Sequence, residues 1–276
     1  MPLKVTPARV NAWQDCPRRY LLAYIIGERR RGGPWAHLEV GNAVHRALAG
    51  WTALPPHDRT DDTMTSLLDH EWPIDGGFRD PTHSTNWLHH ATGWVHRYAP
   101  SWRDVTIVGS ERTVSCRYND VTLEGRVDRI DDRDGQLVIV DYKTGRHPST
   151  DDDAAASWAL ALYSLATGRI LRRRCARAEL HHLPTGLVAA VDYTRELILR
   201  QIDRLTGLAR EIDKTANTYR DVIKDGASSE QAAILFPTRV GPLCGSCPYR
   251  HACPDGQAIP AAAPWSYLDR SASCPA

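Results

Sequence analysis

The chain has 276 residues, 42% hydrophobic and 24% charged, with a formal net charge of +1. That is the composition of an ordinary globular protein with room for one large core or two small ones. Net charge gives no warrant for nucleic-acid binding, and no stretch approaches the ~18 to 20 continuous apolar residues that span a bilayer. No apolar N-terminal leader is expected either, so the cytoplasm is the expected location, with no membrane partner.

The predicted order is helical, then β-rich, then helical. In "TPARVNAWQDCPRRYLLAYIIG", Thr6 suits an N-cap and Pro7 the first helical position, while Val10, Trp13, Cys16, Tyr20, Leu21 and Tyr24 recur at helical spacing. Pro17 should break or kink that helix beside Cys16. "LEVGNAVHRALAGW" reads as a second helix, carrying His45. From Leu54 to Pro81 a loop-rich insertion is expected, with one weak helical patch over Met64–Trp72. "THSTNWLHHATGWVHRYAP" reads as an amphipathic helix ended by Pro100.

From Asp104 the period becomes strand-like. "VTIVGSERTVSCRY", "VTLEGRVDRIDD" and "RDGQLVIVDYKTG" are three strands joined by Asn119-Asp120 and an Asp-Gly turn, an antiparallel meander. Asp151, Asp152 and Asp153 precede the helix "AAASWALALYSLATG", where carboxylates suit the positive end of the dipole better than they suggest a metal site. "ARAELHHLPTG" and "LVAAVDYT" form a hairpin, and "TRELILRQIDRLTGLAREIDKT" a long amphipathic helix. The basic runs at Arg29–Arg31 and Arg172–Arg174 read as solvated faces.

Two patterns carry chemistry. Cys16 stands alone near the start, while "GPLCGSCPYRHACPDG" gathers Cys244, Cys247 and Cys253 as C-x2-C-x5-C, so together they supply the four sulfur ligands of an iron–sulfur cube. Structural zinc and unliganded thiols are the other readings of this spacing, although zinc sites more often pair two C-x2-C knuckles. An odd total of seven cysteines argues against a disulfide framework, and Cys116, Cys175 and Cys274 have no partner spacing.

The second pattern is "IVDYKTG". On a strand Asp141 and Lys143 emerge on one face while Val140 and Tyr142 take the other, and "EGRVDRID" brings Asp128 onto the neighbouring strand. Two carboxylates from adjacent strands can share a hard divalent cation, and a lysine beside them can offset negative charge or help activate a water. Lysine is scarce here, at positions 4, 143, 214 and 224 against an otherwise arginine-based basic set. The combination suits phosphodiester hydrolysis.

The series "GNAVHRAL", "GRVDRID" and "VDYKTG", bracketed by Cys16 and the C-x2-C-x5-C tail, resembles the RecB-like branch of the PD-(D/E)XK nucleases. Among these it is similar to the iron–sulfur members, which include the CRISPR-adaptation exonucleases and the AddB-type nuclease domain. The resemblance implies an α/β restriction-endonuclease-like core, a mixed sheet flanked by helices, in a single domain over 1–276. Its parts would be a helical N-terminal region (1–100), a nuclease core (101–215) and a C-terminal cluster segment (236–256).

It implies metal ligation by His45, Asp128, Asp141 and the Tyr142 carbonyl, and catalysis by Lys143 with Asp128 and Asp141. It also implies a [4Fe-4S] cluster on Cys16, Cys244, Cys247 and Cys253, and an Mg2+- or Mn2+-dependent exonuclease preferring single-stranded DNA ends. A DNA repair role follows, with a helicase or repair complex as partner. Tyr163 matches the family's substrate-orienting tyrosine, but Trp158 and Ala159 stand where its glutamine should fall. Two rival functions stay open, a catalytically weak DNA-binding or assembly module and a zinc-stapled regulatory protein.

Overall fold

The computed structural model describes residues 3–269. The elements are β1 (Leu3–Val5), α1 (Pro7–Asp15), α2 (Pro17–Tyr20), α3 (Ala36–Ala53), α4 (Asp61–Glu71), α5 (Pro81–Trp102), β2 (Thr106–Tyr118), β3 (Val121–Arg133) and β4 (Gln136–Lys143). They continue with α6 (Asp151–Ala156), α7 (Trp158–Leu171), β5 (Arg177–His182), β6 (Leu187–Asp192) and α8 (Arg195–Lys224). Short helical turns follow. One compact unit comprises the chain up to Gly33, Arg117–Leu123 and Ile202–Ala263; the second comprises Pro34–Cys116, Glu124–Gln201 and the chain from Pro264. Cys274 lies outside the described residues, and no helix among them is long and apolar enough to cross a membrane.

In the first unit Thr6 caps α1 by accepting the Arg9 N–H, with Pro7 at the first helical position. Cys16 sits between α1 and α2 in an extended conformation, φ −166° and ψ 114°, and Pro17 opens α2. The proline therefore divides the helix at the thiol, as the sequence implies. A π-helical turn over Leu21–Ile26 follows and is closed by Gly27 at φ 74°. The unpredicted β1 pairs in parallel with the start of β3, Leu3 opposite Val121. An edge-to-face cluster holds this unit together, with Trp13 against Tyr20 and Phe236, and Phe236 against Tyr219.

The second unit holds a mixed sheet. β2 pairs with β3, β3 runs antiparallel to β4, β4 parallel to β5, and β5 antiparallel to β6. Left-handed backbone at Asn119 (φ 52°), Asp134 (φ 51°) and Gly135 (φ 82°) makes the tight turns that Asn and Asp-Gly signal. Alternation on β4 divides the faces. Val138, Val140 and Tyr142 join a core with Ala43, Val44 and Leu48 of α3, Met64 and Leu68 of α4, and Val95 and Tyr98 of α5. Asp141 and Lys143 take the other face, and α7 also packs against β4.

Three sequence expectations change. α5 runs through Pro100 to Trp102. Proline removes one backbone bond from the last turn, but Tyr98 and Ala99 are buried and Trp102 stacks on Tyr98 at 5.8 Å, so packing outweighs that loss. The helical patch expected within the loop-rich segment 54–81 is not weak: it is α4, started by a Thr60–Thr63 capping box, and it delivers Met64 and Leu68 to the main core. The predicted helix after Asp151 is broken at Ser157, whose hydroxyl caps α7. Freed carbonyls of α6 are met elsewhere, because Gln201 Nε2 donates to the Ala155 oxygen (2.8 Å) and Tyr193 Oη to those of Ala154 and Ser157.

The acidic triplet has the capping role expected of it. Asp153 forms a capping box with Thr150, and Asp151 Oδ1 accepts the Ala190 N–H at 2.7 Å. Cys175 is buried and its thiol is pushed up to about 12 by that burial; Cys116 is shifted the same way by its own partial burial.

Candidate active site

The site lies wholly in the second unit, where α3 approaches the end of β4. Gly41 of α3 permits that approach, since a Cβ there would stand 3.0 Å from Thr144 Oγ1. One helical turn later His45 points at β3, its Nδ1 3.4 Å from Asp128 Oδ2. The backbone N–H of Tyr142 donates to the same Asp128 oxygen at 2.8 Å, tying β3 to β4 at the carboxylate. On β4 Asp141 forms an ion pair with Lys143.

Ligand atoms of His45, Asp128 and a third residue, Glu111, lie within 4.8 Å of one another. Glu111 was not in the sequence-derived set. It sits in β2 at φ 49°, in the left-handed region, and pairs with Arg126. A left-handed residue inside a strand interrupts the two-residue alternation of side chains, so no periodicity argument could aim it here. The available signal was an acidic side chain in the strand leading to "GRVD".

The expected residues therefore gather, with differences in detail. His45 and Asp128 share a metal-sized site with Glu111, whereas Asp141 stands beside Lys143. Tyr142 meets the site through its N–H, and its side chain is buried on the opposite face. Tyr163 is 8% exposed and packs over Gly125, where a Cβ would fall 2.4 Å from its ring. Glycine in "EGRVD" is thus needed for the tyrosine to cross β3.

The electrostatics are those of a partly buried acidic pocket. Burial is the largest influence on Asp141 and raises its pKa; the Asp128 charge adds to this and Lys143 opposes it. Glu111 is raised by burial and then by Asp128. Burial pulls His45 down, but its hydrogen bond to Asp128 and the charges of Asp128, Asp141 and Glu111 outweigh that, leaving the imidazole above its usual value. Lys143 is likewise raised, burial being overcome by Asp141. Tyr163 lies well above the usual tyrosine value, through burial and then the Asp141 and Asp128 charges. Burial and neighbouring negative charge together raise the two carboxyls, and neighbouring negative charge raises the imidazole; a hard divalent cation relieves that charge.

The sequence matches the PD-(D/E)XK nuclease superfamily over residues 4–254. The chain belongs to this superfamily. A provisionally assigned exonuclease of Eubacterium rectale is similar in fold at 10% identity and TM-score 0.50, over 78% of this chain and 82% of that one. SSO0001, also 10% identical, aligns over 86% of this chain and 94% of that one at TM-score 0.31. No curated protein matches the chain. A mixed sheet with flanking helices is present, and Asp141-Tyr142-Lys143 on β4 reads as a D-x-K sequence.

The four clustered cysteines occupy the first unit. Cys16, Cys244, Cys247 and Cys253 line one pocket with Leu22, Val240 and Leu243. Backbone N–H groups donate to two of the sulfurs at 3.4 Å, Arg239 to Cys16 and Gly256 to Cys253. All four are free thiols. Burial raises the pKa of Cys247 and Cys253, and charge on Cys16 raises both further.

Proposed function

We propose that this protein is a RecB-like, Mg2+- or Mn2+-dependent DNA exonuclease that acts on single-stranded ends, with a [4Fe-4S] cluster on its four clustered cysteines. The observation that carries the reading is the convergence of His45, Glu111 and Asp128, with the Asp141–Lys143 ion pair near enough for its charge to act on His45 and Asp128. Imidazole nitrogen and carboxylate oxygen form a donor set for hard or borderline divalent ions, so these residues fit such an ion. When bound, it supplies Lewis-acid polarisation of a phosphoryl oxygen and a water of lowered pKa. His45 and the carboxylates hold and orient the site. Lys143 stays protonated and faces the negative charge that develops as water attacks phosphorus and the P–O bond opposite breaks.

Four thiols on one pocket with N–H donors to sulfur are the donor set of an iron–sulfur cube. One observation favours a second reading, a catalytically weak DNA-binding module: Trp158 and Ala159 replace the glutamine that the resemblance leads one to expect. Incubating the protein with 5′- and 3′-labelled single- and double-stranded DNA, with Mn2+ or with EDTA, decides between them. Mn2+-dependent release of short products from single-stranded ends supports the nuclease; tight binding without cleavage supports the module.

Lys143→Ala should keep metal binding and lose about two to four orders of magnitude in single-turnover rate, the scale of one electrostatic or acid–base group. Preserved chemistry with collapsed DNA affinity would instead make Lys143 a phosphate anchor. Metal affinity should also fall as pH falls. Coordination needs neutral His45 and ionised Glu111 and Asp141, and all three hold protons to higher pH than usual. Mn2+ calorimetry in two buffers of different ionisation enthalpy should therefore show proton release, and heats identical in both buffers would contradict this.

A further inference from the structure

Directly behind the site, on the opposite face of the sheet, lies a buried polar network. Arg129 and Asp131 are both 0% exposed and pair through two contacts, Nη2 to Oδ2 at 2.9 Å and Nε to Oδ1 at 2.7 Å. Arg129 Nη1 also donates to Tyr98 Oη (2.9 Å) and Tyr142 Oη (3.1 Å). Tyr98 Oη lies 2.7 Å from His181 Nδ1, and His181 Nε2 lies 2.8 Å from Glu179 Oε2.

Donor and acceptor rules give this chain one direction. Arginine only donates, so Tyr98 accepts from it and turns its own O–H toward His181 Nδ1. That nitrogen is then an acceptor, the imidazole proton sits on Nε2, and Glu179 receives it. Arg129 Nε and Asp131 Oδ1 have no hydrogen-bond partner of good geometry and meet only as an ion pair, while the other links are hydrogen bonds. Replacing such buried ionic groups with well-packed apolar ones is often neutral or stabilising, so stability alone does not account for them.

Their placement does. Arg129 follows Asp128 on β3, and Tyr142 follows Asp141 on β4, so alternation sends each carboxylate to the site and its neighbour into the network. Register sets Arg129 opposite Val140 on β4, while Glu179 and His181 of β5 lie beside Val140 and Tyr142. The Tyr142 N–H completes the frame by holding Asp128 from the front.

We infer that the network of Arg129, Asp131, Tyr98, Tyr142, His181 and Glu179 is a positioning device that sets the spacing of the Asp128 and Asp141 carboxylates, and through it the affinity of the site for a divalent cation. The inference rests on the metal-dependent reading above. None of the six side chains need touch the ion.

Tyr98→Phe removes one hydroxyl, which severs Arg129 from His181, and leaves ring and backbone in place. In the full chain, Mn2+ binding without DNA should weaken about tenfold, the scale of outer-shell changes. Half-saturating Mn2+ for cleavage should rise in parallel, with the rate at saturating Mn2+ within a few-fold and the melting temperature nearly unchanged. Tyr142→Phe, read for Mn2+ binding alone, should weaken it in the same way and serves if the first variant does not fold. Wild type that binds Mn2+ while the folded variants match it overturns the inference alone. Wild type that binds no Mn2+ overturns the metal-dependent reading and the inference with it.

Discussion

Asp128→Ala and Asp141→Ala should each abolish DNA cleavage, a fall of about three orders of magnitude or more, because each removes a carboxylate that would hold the divalent cation. The two variants should differ in stability. Asp128 accepts the Tyr142 N–H at 2.8 Å, so its loss leaves a partly buried donor unpaired and should cost about 1–3 kcal/mol. Asp141 is held above its usual pKa by burial, so its removal deletes an unfavourable charge as well as a Lys143 partner and should leave the melting temperature nearly unchanged. Mn2+-dependent cleavage by labelled-strand assay and thermal unfolding of the same samples check both halves. Wild-type rates in either variant would remove these carboxylates from the chemistry.

Cys16→Ala and Cys247→Ala should share one phenotype: loss of brown colour, a lowered melting temperature and new protease sensitivity after Phe236. The cluster would close a loop of more than two hundred residues, so losing one ligand releases a large unfolded-state entropy as well as the bonds. Phe236 itself should stay protected. Trp13 and Tyr219 pack edge-to-face on its ring, and Arg18 donates to the carbonyls of Phe236 (3.0 Å) and Ala233 (2.9 Å). Beyond it the chain runs through short 3-10 turns at Pro242–Ser246 and Arg250–Ala252, which bury little by themselves. Limited trypsin digestion should therefore cut first at Arg239 and Arg250. A colourless, equally resistant and equally active Cys16→Ala protein would show that the four thiols do not form one structural site. Stoichiometric zinc in colourless wild type would assign the site to that metal instead.

Elements whose signals are local were legible in the sequence. The strands from β2 to β6 announce themselves by alternation and by Asn, Asp and Gly at turns, and α1 by Thr6 and Pro7. Elements decided by tertiary contacts were not. Nothing near Pro100 reveals that Tyr98 and Trp102 stack in the core beyond a proline, and nothing near Ser157 reveals that Tyr193 and Gln201 wait to receive the carbonyls of a broken helix. The site divides in the same way. Asp128, Asp141 and Lys143 follow from spacing on regular elements and His45 from the family resemblance, whereas Glu111 arrives through one irregular φ angle.

That angle separates what favours folding at position 111 from what favours chemistry. A left-handed backbone costs a glutamate about 1–2 kcal/mol that glycine avoids and asparagine partly avoids. Selection for a durable fold alone would put one of those residues there. Glu111→Asn and Glu111→Gly should accordingly be as stable as wild type or more so, yet poorer at holding Mn2+. Screens for thermostable versions of this protein will then be drawn to position 111, and each gain in heat tolerance made there will tend to be a loss of catalytic capacity.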